Sequence, residues 1–315
     1  MGFAGLLGND RLKENLITSL RSGRHAHFYL ICGPEGSGRR TLAQLLAAAL
    51  LCQQSGKPCL QCPSCRKVLH HLHPDVITVT DPDHKYIPVD QIRQVREDLF
   101  IRPNEGSKKI YILPQALRTE GQNALLKVLE EPPEYGVFLL LTDNPEKLLS
   151  TVRSRCTELK MLPLNAETLH HALQQEFPDA DAQAIAGAIS RSGGYLGQAK
   201  ALLENGQAVL PQTEQLVEAF CSRDNLRLTQ TLVPMEKWGR DALQEALQQW
   251  LEILEDALCC RSGGKALSPL SAKLATARSA WDLRSAIEKL QKSIEYAQGN
   301  VSCGAICGWL AWALR

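Results

Sequence analysis

The sequence carries almost no net charge. Its 35 lysine and arginine residues stand against 34 aspartate and glutamate residues, which leaves a formal charge of +1 over 315 residues. No global field therefore marks the chain as a nucleic-acid binder, and any DNA contact would need a local basic patch. With 44% apolar and 22% charged residues, the composition is that of a soluble globular protein with room for two or three domains.

Signals for secretion and for membrane insertion are also missing. The first residues, MGFAGLLGND, have no basic segment ahead of their short apolar run, so they do not predict a signal peptide. No apolar run reaches the roughly 20 residues that a membrane-spanning helix needs. We therefore expect a cytoplasmic protein without a membrane partner, whose cysteines stay reduced.

Four of the eleven cysteines crowd into one short segment. They are Cys52, Cys59, Cys62 and Cys65, with six, two and two residues between them. Four thiolates at this spacing can close a tetrahedral Zn²⁺ site, and a closed site without an open position predicts one structural zinc. The alternative is four free thiols. Three rival ligands follow closely in the sequence, namely His70, His71 and His73.

Apolar runs alternate with helical patterns through the first half of the chain. The runs HFYLIC (27–32), DVITVTD (75–81), KKIYILP (108–114) and GVFLLLTD (136–143) predict buried strands. The segments between them, among them TLAQLLAAALL (41–51), VDQIRQVREDLF (89–100) and GQNALLKVLEEPP (121–133), have helical spacing. This alternation predicts an α/β fold with a mostly parallel, three-layer sheet, since its strands are apolar throughout.

The pattern becomes purely helical after about residue 163. From about residue 210 the helices are long, and all five tryptophans lie at or beyond Trp238, which indicates a second apolar core. We therefore predict three domains: an α/β domain over residues 1–163, a small helical domain over 164–208 and an all-α domain over 209–315.

The segment GPEGSGRRT (33–41) lies between the first strand and a helix, which is the setting of a phosphate-binding P-loop. The glycines that such a loop uses are present as Gly33, Gly36 and Gly38. However, Arg39 replaces the lysine that reaches the phosphates, and Arg40 replaces the hydroxyl that ligates Mg²⁺. Thr41 comes one residue late, and on a helix that turns its side chain by about 100°. The loop alone favours a tight turn with two arginines over a working ATPase site.

The acidic partner of a P-loop is missing as well. A working site has an acidic pair at the end of a neighbouring strand, but KKIYIL is followed by Pro114 and Gln115. Neither of these residues can ionise, so neither can orient a metal ion and the attacking water. Two independent defects predict that the chain does not hydrolyse ATP, and that it either leaves the nucleotide unbound or holds it without reaction.

Five segments then occur in an order that is typical of one family. They are GPEGSGRRT, the four-cysteine insert, HPD (73–75), QNALLKVLEEPP (122–133) and TVRSRC (151–156). With them the chain resembles the AAA+ subunits of clamp loaders, densely over residues 3–163 and only in general helical character beyond. The resemblance implies a RecA-like AAA+ domain with a zinc-binding insert, a small helical lid, and an all-α collar that joins five subunits into a ring.

The resemblance also implies a role for Ser154, Arg155 and Cys156. In clamp loaders the arginine of this motif projects into the nucleotide site of a neighbouring subunit, where its planar, permanent charge stabilises the transferring phosphate. Spacing alone does not choose between Arg155 and Arg153, but the motif favours Arg155. In the lid, working relatives have a nucleotide-contacting arginine at the position where this chain has Gly197.

The function implied is that of a non-hydrolysing subunit of the bacterial DNA polymerase III clamp loader. Such a subunit helps to assemble the ring that loads the sliding clamp onto primed DNA, in the cytoplasm and near the nucleoid. Its partners would be the ATPase subunits and delta, with the clamp and DNA contacted indirectly. Two alternatives stay open: an active ATPase in which Arg39 and Arg40 replace the usual groups, and a zinc-containing DNA-binding adaptor.

Overall fold

The computed structural model describes residues 2–84, 86–204, 210–264, 266, 268–299 and 301–314. Contacts between Cα atoms divide the chain into two compact units, Met1–Glu204 and Asn205–Arg315. Among the described residues, no helix is both long enough and apolar enough to cross a membrane.

A parallel sheet forms the centre of the first unit. The strands of this unit are β1 Phe28–Cys32, β2 Val76–Thr78, β3 Tyr86–Ile87, β4 Lys109–Leu113, β5 Ala116–Leu117, β6 Gly136–Thr142 and β7 Thr157–Lys160. Five of them form one sheet in the order β2-β4-β6-β1-β7, and all neighbours are parallel. The short strands β3 and β5 pair with each other in a separate parallel ribbon.

Nine described helices belong to the first unit. They are α1 Asp10–Arg21, α2 Arg39–Leu51, α3 Pro63–Leu69, α4 Val89–Asp98, α5 Thr119–Glu130, α6 Ser150–Arg153, α7 Ala166–Glu176, α8 Ala182–Arg191 and α9 Leu196–Glu204. The last three have a small apolar cluster of their own around Leu173 and Ile185. This cluster is separate from the clusters on the sheet.

Strand β1 shows how the sheet separates two apolar layers. Its side chains alternate, so that Tyr29 and Ile31 join the cluster formed with α1, α2 and α3, while Phe28 and Leu30 join the cluster formed with α4 and α5. All five residues of β1 are buried. Burial on both faces explains why the predicted strands are apolar throughout, and the α/β prediction is confirmed.

Six described helices form the second unit. They are α10 Pro211–Ser222, α11 Asn225–Met235, α12 Arg240–Arg261, α13 Pro269–Ala277, α14 Ala280–Gln298 and α15 Cys303–Ala313. Trp250 of α12 is fully buried at their centre, with the ring of Phe220 edge-on at 6.2 Å. The described part of this unit is therefore all helical and has a core of its own, as its sequence predicted.

Strand β7 was missed by the sequence pattern. Its residues, TELK, place only Leu159 in the core and leave the other side chains exposed, because β7 is an edge strand of the sheet. A half-exposed strand of four residues has no apolar run, so hydrophobic periodicity cannot identify it.

Candidate functional site

The loop after β1 has the backbone of a phosphate cradle. Gly36 and Gly38 both have left-handed backbone angles, with φ of 76° and 90°, which a residue with a side chain rarely adopts. Helix α2 begins directly after Gly38 and points its amino-terminal end into a cleft of about 1330 Å³. Gly33 is buried behind this loop, and its amide donates to the carbonyl of Thr142 at the end of β6.

Arg39 and Arg40 line the cleft at the start of α2, together with Thr41. Burial lowers the pKa of Arg39, while the carboxylates of Asp143 and Glu35 act in the opposite direction. Arg39 thus has two acidic neighbours of its own chain, whereas Arg40 and Thr41 are exposed. Neither arginine can supply the metal-ligating hydroxyl of a working P-loop.

The start of α9 contacts the loop directly at Gly197. The amide of Gly197 donates to the carbonyl of Gly36 at 2.9 Å. A Cβ atom on Gly197 would lie 2.6 Å from the Cα of Gly36, and one on Gly36 would lie 2.5 Å from the amide nitrogen of Gln198. Gly36 and Gly197 therefore meet backbone to backbone, in a contact that leaves no room for a side chain.

The two residues after β4 do not face the cleft in the way that an acidic pair would. Pro114 lines the cleft, but Gln115 binds a neighbouring loop. Its Oε1 accepts from the amide of Asp81 at 2.7 Å and from Thr80 Oγ1 at 3.1 Å, while its Nε2 donates to the carbonyls of Asp81 and His84. Gln115 therefore holds the loop after β2, which is a structural use of the position.

The two arginines of the TVRSRC segment differ in their partners, although their side chains are exposed to similar extents. Arg153 pairs with two carboxylates, Glu146 at 2.5 Å and Glu158 at 3.5 Å, and hydrogen bonding to Glu146 raises its pKa. Arg155 pairs with one carboxylate, Glu130, at 3.2 Å, and Nη1 donates to the carbonyl of Thr151 at 2.9 Å. Arg153 thus has two carboxylate partners within its own chain, whereas Arg155 has one.

The residues that flank Arg155 anchor it to the α/β unit. Ser154 Oγ donates to the carbonyl of Thr151 at 3.3 Å, which closes the turn after α6. Cys156 packs against the apolar cluster of the sheet, and burial raises the pKa of its thiol to about 12. The sheet therefore fixes the base of Arg155, while the side chain is 39% exposed.

The four clustered cysteines meet at the end of α2 and the start of α3. The sulfur atoms of Cys52, Cys59, Cys62 and Cys65 all lie within 4.8 Å of one another. The amide of Cys62 donates to Cys59 Sγ at 3.3 Å, and the amide of Cys65 donates to Cys62 Sγ at 3.4 Å. Backbone donors lower the pKa of Cys59 to about 6, whereas burial raises the pKa of Cys52 and of Cys65. The donor set and its spacing fit a tetrahedral four-thiolate metal site.

Two of the three rival histidines have other partners. His71 Nε2 hydrogen-bonds the side chain of Gln44 at 2.8 Å, and His73 Nδ1 accepts the amide of Asp75 at 3.2 Å. Within the described ranges, the group of side chains close enough to hold a metal contains the four cysteines and no histidine.

Asp75 has a structural role that the sequence pattern did not indicate. Its carboxylate is fully buried and accepts hydrogen bonds from the amides of Asn104, Glu105 and Gly106 at 2.5 to 2.8 Å. Burial acts to raise the pKa of Asp75, but these donors outweigh it and hold the pKa below its ordinary value. The carboxylate therefore fixes the loop that precedes β4. In the sequence, Asp75 is visible only as an aspartate directly before a predicted strand. Spacing alone could not show that it contacts residues about thirty positions away.

Comparison with known proteins identifies relatives of the chain. Residues 8–165, half of the chain, match the family described as "DNA polymerase III, delta subunit". The DNA polymerase III subunit delta' of Pseudomonas aeruginosa is 38% identical over 202 residues, which cover 62% of this chain and 60% of that protein. The subunit gamma/tau of Mycobacterium tuberculosis is 37% identical over 49% of this chain and 27% of its own length.

Among solved structures, a DNA polymerase III gamma-subunit-related protein from Thermotoga maritima aligns over 95% of this chain and 99% of its own, at 17% identity and a TM-score of 0.46. The chain spans less than two thirds of the length of the two relatives above. Because the family match covers half of the chain and includes the P-loop, the cysteine insert and the SRC motif, the family is established. The chain belongs to the delta-prime family of DNA polymerase III clamp-loader subunits.

Proposed function

We propose that the chain is a non-hydrolysing subunit of a clamp loader, and that it completes the ATP site of a neighbouring subunit with Arg155. The observation that carries this proposal is the contrast between the two sites. The cleft of the chain itself lacks the usual catalytic groups, while Arg155 lies on a rigid base with its side chain 39% exposed. The subunit takes part in the ring that loads the sliding clamp onto primed DNA during chromosomal replication.

Three features support the absence of hydrolysis. Arg40 stands where a metal-ligating hydroxyl is needed, and Pro114 with Gln115 stands where an acidic pair is needed. In addition, Gly197 of the lid packs its backbone against Gly36 of the loop, so position 197 offers no arginine to a phosphate. The site therefore lacks the hydroxyl and the acidic pair that hold Mg²⁺ and orient the attacking water in a working P-loop enzyme.

Arg155 has the chemistry for action in trans. A guanidinium group is planar and always charged, and its five N–H donors match the oxygen atoms of a phosphate. An arginine finger of this kind typically contributes about 10³ to 10⁵ in rate. In our proposal, the neighbour supplies the nucleotide, the metal ion and the water, and this chain supplies one cation.

The cysteine cluster is proposed as a structural Zn²⁺ site. Cys52 and Cys65 are buried, Cys59 and Cys62 are partly buried, and four thiolates fill every position of a tetrahedral ion. A bound zinc ion would join the end of α2 to the start of α3 and so fix the insert, without taking part in hydrolysis.

Each of the three predicted domains has its own role in the proposed function. Residues 1–163 form the AAA+ domain, 164–208 the lid and 209–315 the collar that joins the subunit to its sisters. The partners are the ATPase subunits and delta in a five-subunit ring, with the clamp and primed DNA contacted through the assembly. The location is the bacterial cytoplasm, at the nucleoid.

The test replaces Arg155 by Ala in the reconstituted clamp loader. We expect DNA-stimulated ATP hydrolysis to fall by the share that the served site contributes, because that site loses a contribution of about 10³ while the other sites keep theirs. Arg153→Ala is the matched control, since Arg153 belongs to the same segment but pairs with Glu146 and Glu158.

Equal activity of the Arg155→Ala complex and the unchanged complex would contradict the proposal. Tight, Mg²⁺-dependent ATP binding by the isolated chain would favour the active-ATPase alternative instead. DNA binding by the isolated chain with a steep salt dependence would favour the adaptor alternative.

A further inference from the structure

Helix α5 ends with an acidic residue in an unfavourable place. Glu130 is its last residue, Glu131 is its C-cap, and two prolines follow. The carboxyl end of a helix carries a partial negative charge, so an acidic side chain there is destabilising by about 0.3–1 kcal/mol at the surface. A cation close to Glu130 would offset this unfavourable interaction with the helix end.

Lys127 lies in the same last turn, but the cation that pairs with Glu130 is Arg155. Glu130 Oε1 lies 3.2 Å from Nη2 of Arg155, although the two residues are 25 positions apart in sequence. The contact joins the end of α5 to the turn after α6, which are separate elements. The side chain of Glu130 is 55% exposed and that of Arg155 is 39% exposed, so the pair lies at the surface of the α/β unit.

The guanidinium group of Arg155 has two hydrogen-bond partners in the described structure. Nη1 donates to the carbonyl of Thr151 at 2.9 Å, and Nη2 donates to Glu130. A guanidinium group has five N–H donors in a fixed plane, so two such contacts define its orientation and leave other donors for a phosphate. The carbonyl of Thr151 is fixed by the backbone, whereas Glu130 supplies the only side-chain partner of Arg155 in the described structure.

We propose that Glu130 is a positioning residue for the arginine finger: it orients Arg155 for the nucleotide of the neighbouring subunit. This inference rests on the proposed function. Exposed ion pairs contribute little to the stability of the fold, so stabilisation alone does not account for the pair. Pre-orientation of a transition-state donor raises the rate because the donor need not be ordered during the reaction.

The experiment measures ATP hydrolysis by the reconstituted clamp loader with Glu130→Ala in this subunit. The expected result is a two- to fivefold fall in kcat for the site that Arg155 serves, about the effect of one exposed pair, with KM for ATP unchanged. Glu130→Gln keeps an acceptor without the charge and is expected to lie between Ala and the unchanged chain. Glu131→Ala is the matched control, because Glu131 is adjacent and has no ion pair among the described residues.

A double-mutant cycle with Arg155→Ala separates positioning from a general effect. If Glu130 acts through Arg155, then Glu130→Ala has no further effect once Arg155 is removed. Equal losses from Glu130→Ala and Glu131→Ala, or a loss that persists without Arg155, would overturn the inference and leave the proposed function intact. A complex that is fully active with Arg155→Ala would overturn both.

Discussion

Among single residues, Asp75 shows how one buried charge organises a loop. Replacing it by Asn removes a charged acceptor from three backbone donors in a site without solvent access. We expect Asp75→Asn to lower the free energy of unfolding by about 1–3 kcal/mol at neutral pH. Denaturant unfolding followed by far-UV circular dichroism measures this, since all five tryptophans lie in the other unit.

The same residue predicts a pH dependence. The folded pKa of Asp75 lies below its ordinary value, so its stabilisation is fully present above the unfolded pKa of about 3.9 and is lost as pH falls towards the folded pKa. The difference between the unchanged chain and Asp75→Asn should therefore shrink below about pH 4. A difference that stays constant down to pH 3 would contradict this explanation, and Asp83→Asn, on an exposed carboxylate, is the control.

Gly197 provides a second test at the residue scale. A Cβ atom there would lie 2.6 Å from the Cα of Gly36, and backbone atoms cannot move aside as a flexible side chain can. We expect Gly197→Ala to destabilise the first unit by about 1–3 kcal/mol, measured by thermal unfolding. Gly187→Ala is the matched control, because it lies in lid helix α8 with open space around it and should be neutral or stabilising by up to about 1 kcal/mol. Equal stability of the two variants would show that the lid does not rest on the loop.

At the scale of elements, the cysteine insert makes a quantitative prediction. The purified chain should carry one zinc ion, measured by elemental analysis, and Cys62→Ser should reduce this to well below one. Cys62 is both a candidate ligand and the N-cap of α3, so the loss should also loosen the start of that helix. Cys259→Ser, in an exposed cysteine far along the sequence, should leave the zinc content unchanged.

Less than one zinc ion per chain, together with four freely reactive thiols in the unchanged protein, would refute the metal site. A zinc content of one in both serine variants would instead show that Cys62 is not a ligand.

Hydrophobic periodicity in the sequence predicted some of the strands and missed others. Strands β1, β4 and β6 were predictable because both of their faces are buried and their sequences are apolar throughout. Strand β7 was not, because an edge strand keeps only Leu159 in the core. Helix α2 was predicted over residues 41–51 and begins two residues earlier, at Arg39, directly after the left-handed Gly38.

At the scale of the whole molecule, the contacts that define the candidate site are long-range. The missing P-loop groups and the SRC motif were readable in the sequence, because each is a local pattern. The pairing of Arg155 with Glu130 and the contact between Gly36 and Gly197 were not, since each joins residues that only the folded chain brings together. A local motif can thus be read from the sequence, whereas a contact between distant residues requires the fold.

The central claim is that the chain acts on ATP in a neighbour's site and not in its own. Steady-state ATP hydrolysis by the reconstituted clamp loader tests this when Arg155→Ala is compared with the double variant Arg39→Gln, Arg40→Gln. We predict a clear loss of hydrolysis with Arg155→Ala and an unchanged rate with the double variant. The reverse ranking, in which the rate depends on Arg39 and Arg40 but not on Arg155, would contradict the account.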